Sequence, residues 1–232
     1  MQQPKILWKK VIILHTYFMN NNKLIAVNNH KDLGVWFDSK LTFNQHIPNI
    51  TKEAYKSLGF FLRVSQEFCN LSTLKILYSS LVRSKLEYAS IIWSPFCQQN
   101  NDIIERTQRE YVRHLDYRMT GIYLTYVHYV DLLNLYSMDS LNSRRRNASL
   151  CFLYKIFNNI IDSSGLLHYF SINVPFPTTR PKHSFSKIPR SRTNVLLNSP
   201  FIKMMRFFNE IFPFVDIFYQ KWREFLRAIK HH

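Results

Sequence analysis

The first 44 residues carry an extended pattern of apolar positions rather than a helical one. Val11–Phe18 is rich in β-branched and aromatic residues, and Asn20-Asn21-Asn22 after it can adopt the positive φ of a turn. A second turn over Asn28–Asp32 is expected to lead into a strand over Leu33–Phe37. These segments predict a short antiparallel hairpin or meander, which is too small to be stable in isolation. We therefore expect it to belong to a larger sheet.

From about Ile47 the apolar residues recur every three or four positions, which predicts amphipathic helices. The expected apolar stripe of the first helix consists of Ile47, Ile50, Ala54, Leu58, Phe61, Ser65 and Phe68. Ser72 is the expected N-cap of a second helix that ends at Ser94-Pro95. The expected inward residues of that helix are Leu74, Leu77, Leu81, Tyr88 and Ile92. A third helix is expected to open at Asp102, and a fourth to cover roughly Met138–Asn158.

Prolines mark an extended connection in the last third of the chain: Pro175, Pro177, Pro181 and Pro189. After it, Ser199-Pro200 has the N-cap and N1 residues that open a helix, and Asp216 is the expected cap of a last one. The predicted fold is mainly α. It consists of a short N-terminal β-hairpin or meander (residues 1–44), a helical bundle (45–118) and a basic, proline-containing tail with terminal helices (119–232).

The balance of charge is strongly basic. Lysine and arginine number 31 against 15 acidic residues, which gives a net charge of +16. The like charges of such a chain repel one another when it is compact, and binding to a polyanion relieves this repulsion. The polyanion can be nucleic acid or an anionic membrane surface. The chain also has only 4 glycines, and no two are close enough to form a phosphate-binding loop. This excludes a P-loop, a dinucleotide-binding fingerprint and a nucleophile elbow.

Three basic residues share one face of the first predicted helix: Lys52, Lys56 and Arg63. Gly59 lies on the same face, where a sugar–phosphate backbone can approach closely. An ordinary solvated helix face is the alternative. The second predicted helix repeats the arrangement with Lys75 and Arg83.

The third predicted helix carries three arginines at spacings of three and four residues: Arg106, Arg109 and Arg113. Each arginine can donate to a phosphate. Asp102 and Glu105 lie four residues before Arg106 and Arg109, so ion pairs within the helix are the alternative. On the fourth predicted helix, Arg144-Arg145-Arg146 point in three directions and cannot form a single clamp.

The segment between Asp162 and Glu210 contains no acidic residue. Its basic residues include Arg180, Lys182, Lys187, Arg190, Arg192, Lys203 and Arg206. Extended basic segments with interleaved aromatic residues, here Phe176 and Phe185, suit tracking along single-stranded nucleic acid. The alternative is a surface segment whose prolines and aromatic residues dock on the helices.

The sequence contains no recognisable catalytic or metal-binding motif. Its eight aspartates are isolated, whereas a two-metal site needs clustered carboxylates. No histidine has a metal-site spacing with a cysteine or a carboxylate, so we expect no metal site. Cys69, Cys97 and Cys151 lie far apart, which predicts reduced thiols in an intracellular protein. Val11–Leu14 is too short an apolar run for a membrane span, so we expect no membrane partner.

Motif-like runs are spread over the chain from about Tyr17 onward. In the first half they are Lys31–Asp38, Leu41-Thr42-Phe43, His46-Ile47, Lys52-Glu53-Ala54, Leu58-Gly59-Phe60, Leu77–Ser84, Leu86–Ser90 and Trp93-Ser94-Pro95. In the second half they are Ile104–Gln108, Ser143-Arg144-Arg145, Asn158–Ser163, Asn173-Val174-Pro175 and Arg192-Thr193-Asn194. In combination these runs resemble the post-catalytic part of the reverse transcriptases of jockey-type non-LTR retrotransposons.

The resemblance implies a primer-grip-like hairpin with Leu33, Gly34 and Val35 at the end of a palm, followed by a helical thumb. The nucleic-acid-binding residues expected on this basis and from charge placement are Lys52, Lys56, Arg63, Lys75, Arg83, Arg106, Arg109, Arg113, Arg180, Arg190 and Arg192. The expected partners are an RNA and DNA template–primer and a chain that contains a palm. No small-molecule substrate is expected.

The catalytic aspartate pair of that family is absent from this sequence, so we expect Mg²⁺ only in the missing palm and no cofactor in this chain. The predicted function is that of a reverse transcriptase fragment, nuclear and cytoplasmic, which binds template–primer and polymerises nothing by itself. One alternative is a non-functional product of a decayed mobile element, which would expose palm-facing residues such as Val35 and Phe37. The other is an accessory subunit that completes a sheet supplied by a partner.

Overall fold

A computed structural model of the chain describes residues 18–23, 27–68, 70–122, 127–173, 184–212 and 214–231. Within these ranges the chain is mainly helical after short N-terminal strands, as predicted. The strands are β1 (Phe18–Met19), β2 (Asn22–Lys23), β3 (Asn29–Asp32) and β4 (Val35–Asp38). The helices are α1 (His46–Val64), α2 (Leu71–Tyr78), α3 (Ser84–Glu87), α4 (Ser90–Trp93), α5 (Gln98–Thr120), α6 (Tyr129–Leu135), α7 (Leu141–Phe157), α8 (Ser164–Leu167), α9 (Asn194–Leu197), α10 (Pro200–Ile211) and α11 (Trp222–His231).

The strands form two antiparallel hairpins, β1–β2 and β3–β4. The turn predicted at the asparagine run is confirmed, since Asn20 and Asn21 have φ of 49° and 63°. The turn predicted over residues 28–32 is wrong, because Asn29–Asp32 is itself a strand. The chain reverses instead at Leu33 and Gly34, with φ of 44° and 85°. A two-residue turn with positive φ at both positions matches the twist of a hairpin, and Gly34 adopts it without a steric penalty.

The second hairpin packs on a helix rather than on further strands. Val35 is 2% exposed in the core, and half-buried Phe37 packs against it. The backbone N–H of Trp36 donates to Nδ1 of His46 at the start of α1. The expectation that Val35 and Phe37 would be exposed without a partner sheet is therefore wrong, since α1 covers this side of the hairpin.

Most of the predicted apolar stripe is buried where α1 packs against α5. Its buried members are Ile47, Ala54, Leu58, Phe61 and, just beyond the helix, Ser65, whereas Ile50 is half-buried. Helix α1 continues into a 3₁₀ turn over Ser65–Glu67, and Phe68 beyond that turn is exposed rather than inward. The guanidinium of Arg118 donates to the backbone oxygens of Ser65, Gln66 and Phe68. A distant cation thus pairs with the carbonyl groups that a helix end leaves unsatisfied.

The predicted second helix is divided into α2, a π-helical segment over Ser79–Arg83, α3 and, after Ala89 at a left-handed φ of 51°, α4. Its buried apolar residues are Leu74, Tyr78, Val82, Leu86 and Trp93. The exposed ones include three that were expected to face inward: Leu81, Tyr88 and Ile92. The expectation is wrong because it assumed the spacing of a regular α-helix. The i→i+5 bonds of the π-helical segment place more residues in each turn, so the buried side chains recur every four positions through it.

Asn70, rather than the predicted Ser72, caps the start of α2. Its side-chain oxygen accepts from the N–H groups of Ser72 at 2.8 Å and Thr73 at 3.2 Å. These bonds satisfy two of the backbone donors that the first turn of a helix leaves unpaired.

Replacing Asn70 with alanine is expected to lower the free energy of unfolding by about 1 kcal/mol, because both bonds are lost. The matched control is Ser72→Ala, which is expected to change it by less than about 0.5 kcal/mol, as is usual for an exposed substitution. Urea denaturation followed by circular dichroism measures both. A larger loss in Ser72→Ala than in Asn70→Ala would contradict this assignment of the cap.

Helix α5 begins before Asp102, at Gln98, so the predicted capping role of Asp102 is wrong. The fourth predicted helix is confirmed as α7, capped by Ser140. Pro200 opens α10 after Ser199, as predicted. Asp216 does not cap the last helix, because α11 starts at Trp222. The carboxylate of Asp216 instead accepts from the backbone N–H groups of Phe218 and Tyr219, in the turn before α11.

The apolar side chains form two buried clusters. The first joins β4 with α1 to α6 and reaches Leu141 at the start of α7. The second joins the later part of α7, from Leu150, with α10 and α11. Helix α4 lies between the two clusters, because Trp93 is in the first and Ile91 packs against the second. The bundle that carries the candidate site is thus fixed to the C-terminal helices through α4 and α7.

Candidate nucleic-acid interface

Three lysines from two helices lie around the carboxylate of Glu53. Lys56, one turn along α1, places its Nζ 2.7 Å from Glu53 Oε1. The pKa of Glu53 is lowered first by the hydrogen bond and charge of Lys56, and further by the charges of Lys85 and Lys52. Lys52, Lys56 and Lys85, called here the lysine cluster, are all exposed. Three cations lie near one carboxylate, and only Lys56 pairs with it directly, so the surface keeps a positive charge.

Lys85 is the member of the lysine cluster that the sequence interpretation missed. It lies on α3, which packs against α1, and its Nζ donates to Ser57 Oγ at 2.6 Å. The two residues are 28 positions apart in the chain. Periodicity within one helix carries no signal for such a pair, because the contact depends on how the two helices pack.

A groove of about 530 Å³ runs beside the lysine cluster, between the Leu33-Gly34 turn and helices α1 and α3. Its lining residues include Lys31, Gly34, Trp36, His46, Lys85 and Tyr88. The hydroxyl of Tyr88 donates to the backbone oxygen of Leu33 at 3.0 Å, which ties the turn to the end of α3. We call this space the hairpin groove.

The three residues predicted to form a primer-grip-like hairpin differ in their position relative to the hairpin groove. Gly34 lines it, and a Cβ at this position would lie 3.4 Å from the ring of Tyr88. Leu33 is 83% exposed at the tip of the turn, whereas Val35 is buried in the core. The hairpin therefore exposes Leu33 and Gly34 to solvent, and buried Val35 holds the turn in place.

His46 forms the floor of the hairpin groove as a buried, neutral imidazole. Its Nδ1 accepts from the backbone N–H of Trp36 at 3.4 Å, and its ring meets Trp93 edge-on with centroids 5.2 Å apart. Burial lowers the pKa of His46, and the charge of Lys31 lowers it further. The neutral form of His46 is thus favoured at pH 7, and the positive charge of the groove comes from Lys31 and Lys85, beside the carboxylate of Glu53.

Lys75 and Arg83 line a second cavity, of about 490 Å³, with Ser79 and Ser80 of the π-helical segment. Both cations have protein partners. Lys75 Nζ donates to the backbone oxygen of Tyr136, and Arg83 Nε lies 3.7 Å from Glu87. The structure thus brings these two predicted residues together, but each already has a partner.

The arginines of α5 are not held by the ion pairs that the spacing allowed. Glu105 accepts from the hydroxyl of Tyr129 and the backbone N–H of Asn142, and Asp102 accepts from Gln98. The ion-pair alternative is therefore wrong. The arginines are placed differently from one another: Arg106 is exposed, Arg109 is half-buried with its guanidinium 5.2 Å from the ring centroid of Tyr129, and Arg113 is half-buried.

Gly59 and Arg63 lie further along α1. A Cβ on Gly59 would meet only Arg63 Nη1, at 3.9 Å, within the structure that is described. This is an ordinary contact distance, so the helix surface is open here. Arg63 itself is exposed. In the tail, Arg190 and Arg192 are exposed and Arg180 lies outside the described residues.

The three consecutive arginines of α7 point in three directions, as predicted. Arg144 pairs with Glu87, and Arg146 pairs with Glu210 at 3.0 Å. Arg145 is 1% exposed and donates to Asn101 at 3.0 Å. These side chains join α7 to α3, α10 and α5 and do not form a surface.

In the part of the chain that the structure describes, no group of three or more histidine, cysteine, aspartate or glutamate side chains is placed to hold a metal ion. The same residues include no helix long and apolar enough to cross a membrane. Cys97 and Cys151 are free thiols, and both are half-buried. Comparison of the chain with family models, curated proteins and solved structures finds no match.

Proposed function

We propose that this chain binds the phosphate backbone of a nucleic-acid duplex through the lysine cluster and the adjoining hairpin groove. The observation that carries the proposal is that three exposed lysines from α1 and α3 act on the single carboxylate of Glu53, Lys56 by direct contact and Lys52 and Lys85 through their charges. Exposed lysines give up counterions when they meet phosphates, and this release drives binding. The net charge of +16 adds attraction at longer range.

The proposed contact is not selective for base sequence. Lysine is a flexible point charge that binds phosphate oxygens, whereas sequence is read by side chains that reach base edges. The pair between Lys56 and Glu53 does not oppose this role, because both side chains are more than half exposed, at 62% and 54%. Exposed ion pairs are weak and are readily exchanged for a phosphate.

The resemblance to non-LTR retrotransposon reverse transcriptases supports a more specific version of the proposal. In it, the ligand is an RNA and DNA template–primer, the helices from α1 onward act as a thumb, and a chain with a palm is the protein partner. This version places the protein in the nucleus and the cytoplasm. It assigns binding, and no bond-forming step, to the residues of this chain.

A titration of a fluorescent RNA–DNA template–primer tests the proposal. Binding is expected at 50 mM salt, and the affinity is expected to fall on the order of 100-fold or more by 200 mM, as for about five neutralised phosphates. A duplex of scrambled sequence is expected to bind equally well, because the contacts are to the backbone. Absence of binding at 50 mM salt would refute the proposed function.

A further inference from the structure

Three cations of the C-terminal helices lie close together inside the protein, where α7 and α10 meet the ends of α4 and α5. Arg145 is 1% exposed, Lys203 is half-buried, and Arg206 lies one turn beyond Lys203 on α10. Burial, together with the positive charges of Arg145 and Arg206, lowers the pKa of Lys203 to about 8. We call these residues the cation seam.

The cation seam has neutral partners but no paired carboxylate. Arg145 donates to the side-chain oxygen of Asn101, and Lys203 donates to the backbone oxygen of Ser94. Nε and Nη1 of Arg145 are buried without a hydrogen-bond partner. The carboxylates of the neighbouring helices are engaged by other groups: Glu87 by Arg83 and Arg144, Glu105 by Tyr129 and Asn142, Asp102 by Gln98, and Glu210 by Arg146. Glu105 and Glu87 act on Arg145 only through their charges, which raise its pKa against the larger effect of burial. Buried donors without an acceptor are costly, so the hydrogen bonding of this guanidinium is incomplete.

The start of α5 adds positive potential at the same place. Asn101, which binds Arg145, lies in the first turn of this 23-residue helix. That turn has no side-chain cap and no acidic residue. The N-terminus of a helix carries a partial positive charge and free N–H groups, which favour anions. The helix start and the unpaired donors of Arg145 are independent features, and both favour an anionic acceptor.

We infer that the cation seam binds one small inorganic oxyanion, of the phosphate class, between Arg145, Lys203 and the first turn of α5. The anion supplies the acceptors that Nε and Nη1 of Arg145 lack. It is a free anion rather than a phosphate of a nucleic-acid strand, because a polymer backbone cannot reach a side chain that is 1% exposed. By joining α5 to α7 and α10, it stabilises the junction of the two core clusters. The inference does not depend on the proposed function.

Thermal unfolding of the full chain at pH 7, with inorganic phosphate replacing chloride at constant ionic strength, tests the inference. Phosphate is expected to raise Tm by several degrees and to saturate as for a single site, because it binds only the folded state. In Lys203→Met, which keeps the volume but removes the charge, the rise is expected to be lost. The matched control is Arg223→Gln, an exposed loss of one charge on α11, which is expected to keep the rise.

A second variant separates this site from the lysine cluster. The triple variant Lys52→Gln, Lys56→Gln and Lys85→Gln is expected to keep the phosphate-dependent rise in Tm, even if it loses nucleic-acid binding. If Lys203→Met does not fold, ³¹P NMR of the unaltered chain is expected to show one bound phosphate in slow or intermediate exchange. Absence of a saturable rise, or a rise that disappears in the triple variant but persists in Lys203→Met, would overturn the inference.

Discussion

Reversing the charges of Lys52, Lys56 and Lys85 to glutamate together is expected to weaken template–primer binding on the order of 100-fold at 100 mM salt. Each lysine that leaves a phosphate removes about one unit from the slope of log affinity against log salt. The triple variant is therefore expected to reduce that slope by about three. The new carboxylates also lie beside Glu53, which makes this surface repel phosphate.

The matched control places the same change of charge elsewhere on the protein. Arg223, Arg227 and Lys230 are exposed on α11, whose apolar face packs into the second core cluster. Their triple change to glutamate alters the net charge by the same amount and is expected to weaken binding by less than about 5-fold. Circular dichroism checks that both variants are folded. Equal losses of affinity in the two variants would show that only net charge matters and would remove the lysine cluster from the interface.

Local sequence signals predicted the features that depend on neighbouring residues. The positive φ of Asn20 and Asn21 and the opening of α10 at Ser199-Pro200 follow from the backbone preferences of single residues. The shared face of Lys52 and Lys56 follows from helical periodicity within α1. Each of these needs only a few residues of context, so a linear pattern is sufficient.

Features that depend on packing between elements were not predictable in the same way. The π-helical segment before α3 shifts the buried face, so Leu86 rather than Tyr88 enters the core and Lys85 turns toward α1. Glu105 finds its partner in Tyr129, 24 positions away, rather than in Arg109 one turn along α5. Only part of the candidate site was thus predictable from the sequence. The α1 lysines follow from helical periodicity, whereas the position of Lys85 on α3 depends on the tertiary fold.

The largest loss of stability is expected from Trp93→Ala. Trp93 is fully buried in the first core cluster, on the helix α4 that lies between the two clusters. Its indole N–H donates to the backbone oxygen of Tyr88 at 2.7 Å. Its ring also packs edge-on against His46 beneath the hairpin groove. The substitution removes a large ring and leaves a cavity, which costs about 3–5 kcal/mol of unfolding free energy. Urea denaturation followed by circular dichroism measures the loss.

Two further substitutions establish that this loss comes from burial and from the hydrogen bond. Trp93→Phe keeps most of the ring but leaves the oxygen of Tyr88 without its donor, so we expect an intermediate cost of about 1–3 kcal/mol. Tyr219→Ala removes an aromatic ring that is 90% exposed, and a change of less than about 0.5 kcal/mol is expected. A cost below about 1 kcal/mol for Trp93→Ala would mean that α4 does not join the two core clusters. The hairpin groove would then lack the support on which its shape depends, because His46 and Tyr88 both contact Trp93.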